Sequence, residues 1–457
     1  MRTFELAIAG LLAAIGESKA MTGTNIGGWM VLEPWITPSL FYRFLGKHHS
    51  DGIGMDSYTF CEALGKDAND VMRSHWDHWL TKEHIKGMKE RGVELVRMPI
   101  GDWTLKPYGA YQGCMDGAAD KIEWALDQFD KHGIKVLLDV HGVKGSQNGE
   151  DHSGRMNKLI WTDEDNFMHR SIIAGEWMGP WNGHSYDYID FENLLWAEDT
   201  IHGLLDRWGN HPALYAIEPV NEPWPKTDEW ALKLFYRNVR YIMRTKAPHL
   251  KTVYHDAFWS DPKVWDDLFE DDDIHNVVID NHYYFVWKPA ETHDTVASVC
   301  KTIKDDMKKL SEHKYEVWVG EWSMATDPCA MWLEAFNDSN LPRIDQCQWV
   351  DCPKPYLPAP FGVDLDRTAD IQGPFGNDRH DDIPKFGKCP IDSDRFNNED
   401  LYEIGQCMLE AYNENLGAQI MWTYHNELEP RWSYKQAYDA GWLKPQPTSE
   451  KPKLSQN

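Results

Sequence analysis

A chain of 457 residues, 42% of them hydrophobic, is long enough to bury one large core, and a single barrel-sized domain accounts for it better than several small ones. Its formal net charge of −27 excludes a nucleic-acid partner, whose phosphates require Lys and Arg, and disfavours an anionic membrane surface or a polyanionic substrate. A neutral polymer meets no such penalty, and 23 Trp residues supply flat apolar faces of the kind sugars stack on, although most are expected in the core.

The N-terminus reads as a secretory signal over residues 1–20. Arg2 precedes the apolar run "LAIAGLLAAIG" (6–16), and Ser18 and Ala20 provide small residues for cleavage, with Glu5 as an atypical acid. A secreted protein of the extracellular space or cell wall follows from that reading. No later stretch reaches the ~18 apolar residues of a membrane helix. The polar "PQPTSEKPKLSQN" at the end is expected to be a disordered tail over 446–457, leaving 21–445 as the folded domain.

Eight apolar runs then recur along the chain: "TNIGGW" (24–29), "ELVRMPI" (94–100), "IKVLLDVH" (134–141), "LYAIEPVNE" (214–222), "KTVYHD" (251–256), "VVIDNHYY" (277–284), "EVWVGE" (316–321) and "AQIMWTY" (418–424). Each suits a strand buried on both faces. Helical patterns separate them, as in "DKIEWALDQFDKHG" (120–133), where Ile122, Ala125, Leu126 and Phe129 share one face and Gly133 is a stop signal. Segments 194–209 and 296–313 behave alike. Eightfold alternation of strand and helix predicts an α/β fold, a (β/α)8 TIM barrel. Residues 324–397, rich in Pro, Gly and Asp, interrupt the rhythm after strand seven and predict a long loop on the face where a barrel keeps its active site.

All eight cysteines follow the candidate cleavage point: Cys61, Cys114, Cys300, Cys329, Cys347, Cys352, Cys389 and Cys407. An even count fits an oxidising compartment. Four fall within 324–397, so at least one disulfide is expected inside that loop. No Cys-x-x-Cys pair is present, and no metal or other cofactor is expected. The acidic runs "DDD" (271–273) and "HDD" (380–382) read as solvated loop charges rather than metal ligands. Asn337-Asp338-Ser339 is a glycosylation sequon in the same loop.

Two acids terminate strand-like runs, Glu222 in "LYAIEPVNEPW" (214–224) and Glu321 in "YEVWVGEWS" (315–323). In a parallel barrel the carboxyl ends of strands share one mouth. Two carboxylates there suit hydrolysis of a glycosidic bond, one protonating the leaving oxygen and the other attacking the anomeric carbon. Arg97, His141, Asn221, His282, Tyr284 and Trp422 stand at or near other strand ends. Arg97 and the Tyr284 hydroxyl are expected to keep a nucleophilic Glu321 ionised. The Asn221 amide suits a sugar 2-hydroxyl, Trp422 a floor beneath the ring, and Glu222 is expected to have its pKa raised by Glu321.

Several motifs resemble fungal exo-β-1,3-glucanases of glycoside hydrolase family 5: "TNIGGWMVLEPWITPSLF" (24–41), "LLDVHGVKGSQNGEDHSG" (137–154), "NEPW" (221–224), "VVIDNHYYFVW" (277–287), "GEWS" (320–323) and "WTYHNELEPRWSYKQAYDAGWLKP" (422–445). They occur in the family's order from about residue 22 to 445. The resemblance implies that Glu222 is the acid/base and Glu321 the nucleophile, with Arg97, His141, Asn221, His282, Tyr284 and Trp422 in the inner site. It further implies that Glu33 binds the non-reducing glucose, that Asp151 binds sugar, and that Trp287 stands at the pocket mouth. Two positions depart from the family pattern: Glu150 stands where an aromatic is usual, and His152 where Asn is usual. The expected activity is retaining release of glucose from the non-reducing end of a β-1,3-glucan polysaccharide or oligosaccharide, by a monomer. The alternatives are an endo-acting or β-1,6-specific glucanase on the same fold, and a non-catalytic wall-binding protein, which would be expected to have lost a carboxylate.

Overall fold

Eight parallel strands close into a barrel: β1 (Met21–Asn25), β2 (Leu95–Gly101), β3 (Lys135–Gly142), β4 (Leu214–Glu218), β5 (Lys251–His255), β6 (Val277–Tyr283), β7 (Glu316–Trp322) and β8 (Ala418–Met421). Each pairs with its neighbours in chain order. β1 closes the ring, Met21 lying opposite Ala418 on one side and Gly23 opposite Leu95 on the other. The structure, a computed structural model, describes residues 19–45, 52–157, 159–162, 167–170, 174–259, 261–333, 347–366, 387–393 and 395–444. The expected signal peptide up to residue 18, the tail from 446, the sequon at 337–339 and the "HDD" run at 380–382 lie outside them.

All eight expected runs contribute a strand, with three clear shifts of boundary, the last strand ending at Met421 rather than at 424. β1 lies earlier than expected, because the chain leaves the sheet at Ile26 and Gly28 takes a left-handed φ of 69°. β4 stops at Glu218, since Pro219 has no N–H to continue the ladder. Glu222 therefore sits in the loop beyond the strand.

Helices wrap the outside and end where their sequences indicate. Ala118–His132 closes at Gly133, whose φ of 62° lets its N–H reach the Phe129 and Asp130 carbonyls. Phe191–Trp208 is capped by the Asp190 side chain and Val296–Leu310 by Thr295.

The barrel interior is built in layers by the two-residue period of the strands. Its lower layer is apolar: Leu95, Leu137, Ala216, Val253, Val278, Trp318, Ala418 and Ile420 form one buried cluster. Two residues further along each strand the inward position becomes polar, giving Arg97, Asp139, Glu218, His255 and Asp280, all buried. Arg97 is thus the third residue of β2 and lies inside the barrel rather than at the strand end. On β7 the same step gives Gly320. Its N–H donates to Asp280 Oδ1 at 2.5 Å, and a Cβ there would overlap the Asp280 carboxylate.

Four disulfides pair all eight cysteines: Cys61–Cys114, Cys300–Cys407, Cys329–Cys347 and Cys352–Cys389. The last two lie within 324–397, as expected for that loop. The segment also has structure the sequence did not announce, an antiparallel pair of Gln348–Asp351 with Lys388–Ile391. A second unexpected antiparallel pair joins Leu159–Thr162 with Phe167–Arg170. The long segment is docked on the loop after β1: Tyr42 donates to the Pro353 carbonyl, Arg43 to that of Phe361, and Tyr356 meets His75. Asp271 and Asp273 of the "DDD" run are ion-paired, with Lys314 and with Arg240 and Arg244 respectively.

Candidate active site

The carboxyl ends of the strands surround a pocket of about 750 Å3. Nine of the expected residues line it: Glu33, His141, Asp151, Glu222, His282, Tyr284, Trp287, Glu321 and Trp422. Arg97 and Asn221 lie beneath it, wholly buried.

Arg97 organises the floor. Its Nε donates to Glu218 Oε2 at 2.8 Å, Nη1 to Glu321 Oε1 at 2.7 Å and Asn25 Oδ1 at 3.2 Å, and Nη2 to Asn221 Oδ1 at 2.7 Å. Nη2 also lies 3.1 Å from Asp139 Oδ2. The planar guanidinium matches several acceptors at once, and removing it would leave buried carboxylates without a countercharge. Glu321 is held at both oxygens, because the Tyr284 hydroxyl donates to Oε2 at 2.7 Å.

The Asp139 carboxyl is pushed up to about 7 by burial, against the pull of Arg97. Burial and the Arg97 charge hold His141 well below the usual imidazole range, so it is neutral. Its Nδ1 sits 2.6 Å from Asp139 Oδ2. A proton there leaves Nε2, 3.5 Å from the Asn221 amide nitrogen, as an acceptor.

Glu222 occupies a left-handed backbone conformation, φ 40°, which costs a non-glycine residue about 1–3 kcal/mol and points to a functional constraint on its position. Two histidines hold its carboxylate. His282 Nδ1 lies 2.6 Å from Oε1, and His152 Nε2 lies 3.1 Å from Oε2. Burial raises the Glu222 pKa, but the bonds and charges of His152 and His282 outweigh it and hold the group well below the ordinary glutamate range. The expectation of a value raised by Glu321 is therefore corrected: the nearest charges are imidazoliums, not the second carboxylate. Burial opposes the charge on His282, yet Glu321, Asp280 and Glu222 together raise it well above the usual imidazole value. His152 is raised likewise against burial, by Asp151 and Glu222.

One imidazole nitrogen meets both carboxylates. His282 Nδ1 is 2.6 Å from Glu222 Oε1 and 3.4 Å from Glu321 Oε2, so those oxygens lie no more than 6.0 Å apart.

Further out, Glu33 is buried, and its Oε2 accepts from the Trp35 indole at 3.0 Å. Its Oε1 and Asp151 Oδ2 are buried with no hydrogen bond among the described residues. Burial raises the Glu33 pKa well above the usual range. Such acceptors suit incoming hydroxyl groups. Trp287 is 55% exposed at the rim, its ring edge-on to Tyr284 at 5.0 Å. Trp422 stacks on His141 with centroids 5.2 Å apart. Leu333 brings the long segment into the wall.

Sequence reasoning did not assign roles to Trp35, Asn148, Trp224, Phe258 or Trp432, which also line the pocket, nor to Asp139, Glu218 and Asp280 beneath it. The acids carried a signal: each interrupts an apolar run, in "LLDVH", "YAIEP" and "VIDNH". Trp35, Trp224 and Trp432 fall within the quoted motifs, which carried the resemblance without giving these rings a role, and Phe258 falls outside them.

Glu222, His255 and His282 place ligand-type atoms within 4.8 Å of one another, as do Glu218, Asp280 and His282. The chemistry fits a metal poorly. His282 Nδ1 already joins the two glutamates, Glu218 is paired with Arg97, and His255 Nδ1 accepts from the Ala257 N–H at 2.9 Å. A dication beside the Arg97 guanidinium would also be repelled.

A family model described as Cellulase (glycosyl hydrolase family 5) matches residues 61–352. A glucan 1,3-beta-glucosidase of Blumeria graminis is 30% identical over 452 residues, spanning 96% of this chain and 90% of the relative. Its counterpart in Kluyveromyces lactis is 29% identical over 454 residues, spanning 95% and 90%. Among solved structures, a rutinosidase from Aspergillus niger aligns with a TM-score of 0.63 at 15% identity, covering 94% of this chain and 99% of that one, a likeness of fold alone.

Proposed function

The chain belongs to glycosyl hydrolase family 5, and from that membership we propose that it is a secreted, monomeric enzyme that releases glucose from the non-reducing end of β-1,3-glucan with retention of configuration. Glu321 is the nucleophile and Glu222 the acid/base. The observation that carries the reading is the single His282 nitrogen in contact with both carboxylates. Retaining enzymes keep the two groups about 5–5.5 Å apart, whereas inverting ones need roughly 6.5–9.5 Å to admit a water.

In the first half-reaction Glu321 attacks the anomeric carbon and Glu222 gives its proton to the departing oxygen. In the second, Glu222 takes a proton from water as that water displaces Glu321. Arg97 and Tyr284 hold the two oxygens of Glu321 and keep the carboxylate aimed. His152 and His282 fix the Glu222 carboxylate at its two oxygens. The open acceptors of Glu33 and Asp151 support capture of a terminal sugar, and the glucan 1,3-beta-glucosidase relatives support the linkage. Four disulfides support an oxidising destination, and no helix among the described residues is long and apolar enough to cross a membrane.

Digestion of β-1,3- and β-1,6-linked glucans, with products sized and the first-formed anomer read by NMR, tests the whole reading. Glucose of β configuration from the β-1,3 polymer is expected. Oligosaccharides as first products, an α anomer, or preference for the β-1,6 polymer would overturn exo action, retention or linkage respectively.

A further inference from the structure

Of the eight large apolar side chains exposed among the described residues, six lie at or beside the pocket, Tyr241 and Val363 being the exceptions. Among the described residues, Tyr188, Phe191, Leu195 and Trp230 stand exposed on two adjoining segments beside the pocket, while exposed Phe258 and Trp287 line the pocket itself. Contiguous exposed apolar surface of this kind marks binding sites on soluble proteins. The Phe191 and Trp230 rings meet edge-on at 6.5 Å. That contact joins the start of helix Phe191–Trp208 to the start of helix Glu229–Lys246. Between the two segments opens a shallow cavity of about 450 Å3, lined on one side by Trp181, Tyr186 and Tyr188 and on the other by Lys226, Asp228 and Glu229.

This cavity is linked to the pocket by one residue. Trp224 lines the pocket, and its ring meets Trp181 edge-on at 5.0 Å. Trp181 in turn packs on Tyr186 at 5.1 Å. The rings are fixed in place: Trp181 and Tyr186 form a backbone bridge, and the Tyr186 hydroxyl donates to the Gly175 carbonyl at 3.0 Å. The Lys226 ammonium lies 5.5 Å from the Trp224 ring and 6.0 Å from that of Trp181. Aromatic faces interleaved with an ammonium and carboxylates suit a pyranose, which offers C–H faces to rings and hydroxyls to charges. A protein partner would prefer an apolar centre depleted of charge.

We infer that this surface is an outer subsite for the reducing-end stretch of the same β-glucan chain whose terminus occupies the pocket, with Trp224 as the link between them. The inference rests on the glucan reading above. Its consequence is a preference for long chains, because each sugar stacked outside the pocket lowers the free energy of the bound complex without touching the reacting bond.

The test is kcat/KM along a ladder of β-1,3-linked glucose oligosaccharides from the disaccharide upward, for the wild type, Trp181→Ala and Tyr188→Ala. Tyr188 is 60% exposed, so its truncation spares the fold. For the wild type, kcat/KM should climb with length to a plateau. Both variants should fall about 3- to 10-fold on the long members, the range expected for one lost aromatic stack, and should match the wild type on the disaccharide. Variants that track the wild type at every length overturn the inference. Loss confined to adsorption on insoluble glucan would assign the surface to a separate chain, and loss of wild-type self-association in Tyr188→Ala would assign it to a second copy; either overturns it too. A wild type inactive on the entire ladder fails the glucan reading itself and removes the inference with it.

Discussion

His152 meets Glu222 at 3.1 Å on Oε2, the carboxylate oxygen that His282 does not touch. His152 is pressed between Asp151 and Glu222, with the Asn148 amide nitrogen 2.9 Å from its Nε2. Its ring also lies 5.7 Å from that of neutral His141. A cationic imidazole at that distance favours the ionised form of Glu222 and competes for its proton.

Replacing His152 by Asn keeps a polar neighbour and removes the cation. The proton on Glu222 is then held more tightly, so the alkaline limb of the kcat/KM profile should move to higher pH. His152→Gln should move it the same way. A pH–rate profile superposable on that of the wild type would show that His152 does not act on the acid, and a shift to lower pH would reverse the sign argued here.

The roles of the two glutamates separate by chemistry. Glu321→Ala should abolish turnover, and added azide should restore it as an α-glycosyl azide, because a small anion fills the place of the lost nucleophile. Glu222→Ala should cost about 10²–10⁴-fold on glucan and far less on substrates whose leaving group departs without a proton. Full activity of both variants on a β-1,3-glucan would remove the assignment.

The barrel was legible because its eight strands are buried on both faces and read as apolar runs between amphipathic helices. Glu222 and Glu321 were legible because they follow such runs directly. The proton chemistry of Glu222 was not. It depends on His152 and His282, 70 and 60 positions away in the chain, and the sign of their effect follows from contact distances. The same limit hid Glu218 and Asp139: each is an isolated acid in an apolar strand, and only closure of the ring sets them around Arg97. The two antiparallel strand pairs were missed because four-residue strands carry too little pattern to stand out from loop.

Glu33 tests the terminal-sugar end of the pocket. Its partner is the Trp35 indole rather than an arginine, and one oxygen stays open. Glu33→Gln keeps the shape but turns one acceptor into a donor. It should raise KM and lower kcat on terminal glucose by about 10-fold or more, in line with about 1–3 kcal/mol for a mismatched buried acceptor. The melting temperature should hold or rise, since a buried carboxyl is being removed. Normal kinetics with a lowered melting temperature would make Glu33 structural and withdraw the main support for exo action.

Stability should depend on pH through buried carboxyls away from the chemistry. Glu427 accepts from Ser39 Oγ at 2.6 Å and Ser39 N at 2.9 Å, and burial raises its pKa from 4.5 to about 8 against those bonds. Asp102 is raised by burial from 3.8 to about 7. A folded state that holds protons more tightly than the unfolded chain is favoured below the unfolded pKa, and that stabilisation is lost as pH rises through the folded one. The stability these two carboxyls contribute should therefore fall as pH rises from about 4 to 8. Glu427→Gln cannot ionise, and its amide can still serve both Ser39 groups. The variant should match the wild type near the acid end and exceed it at the alkaline end, flattening the curve, while kcat on glucan stays unchanged because Glu427 does not line the pocket. Parallel melting curves for the two proteins across that range would show that Glu427 titrates as an ordinary exposed carboxyl.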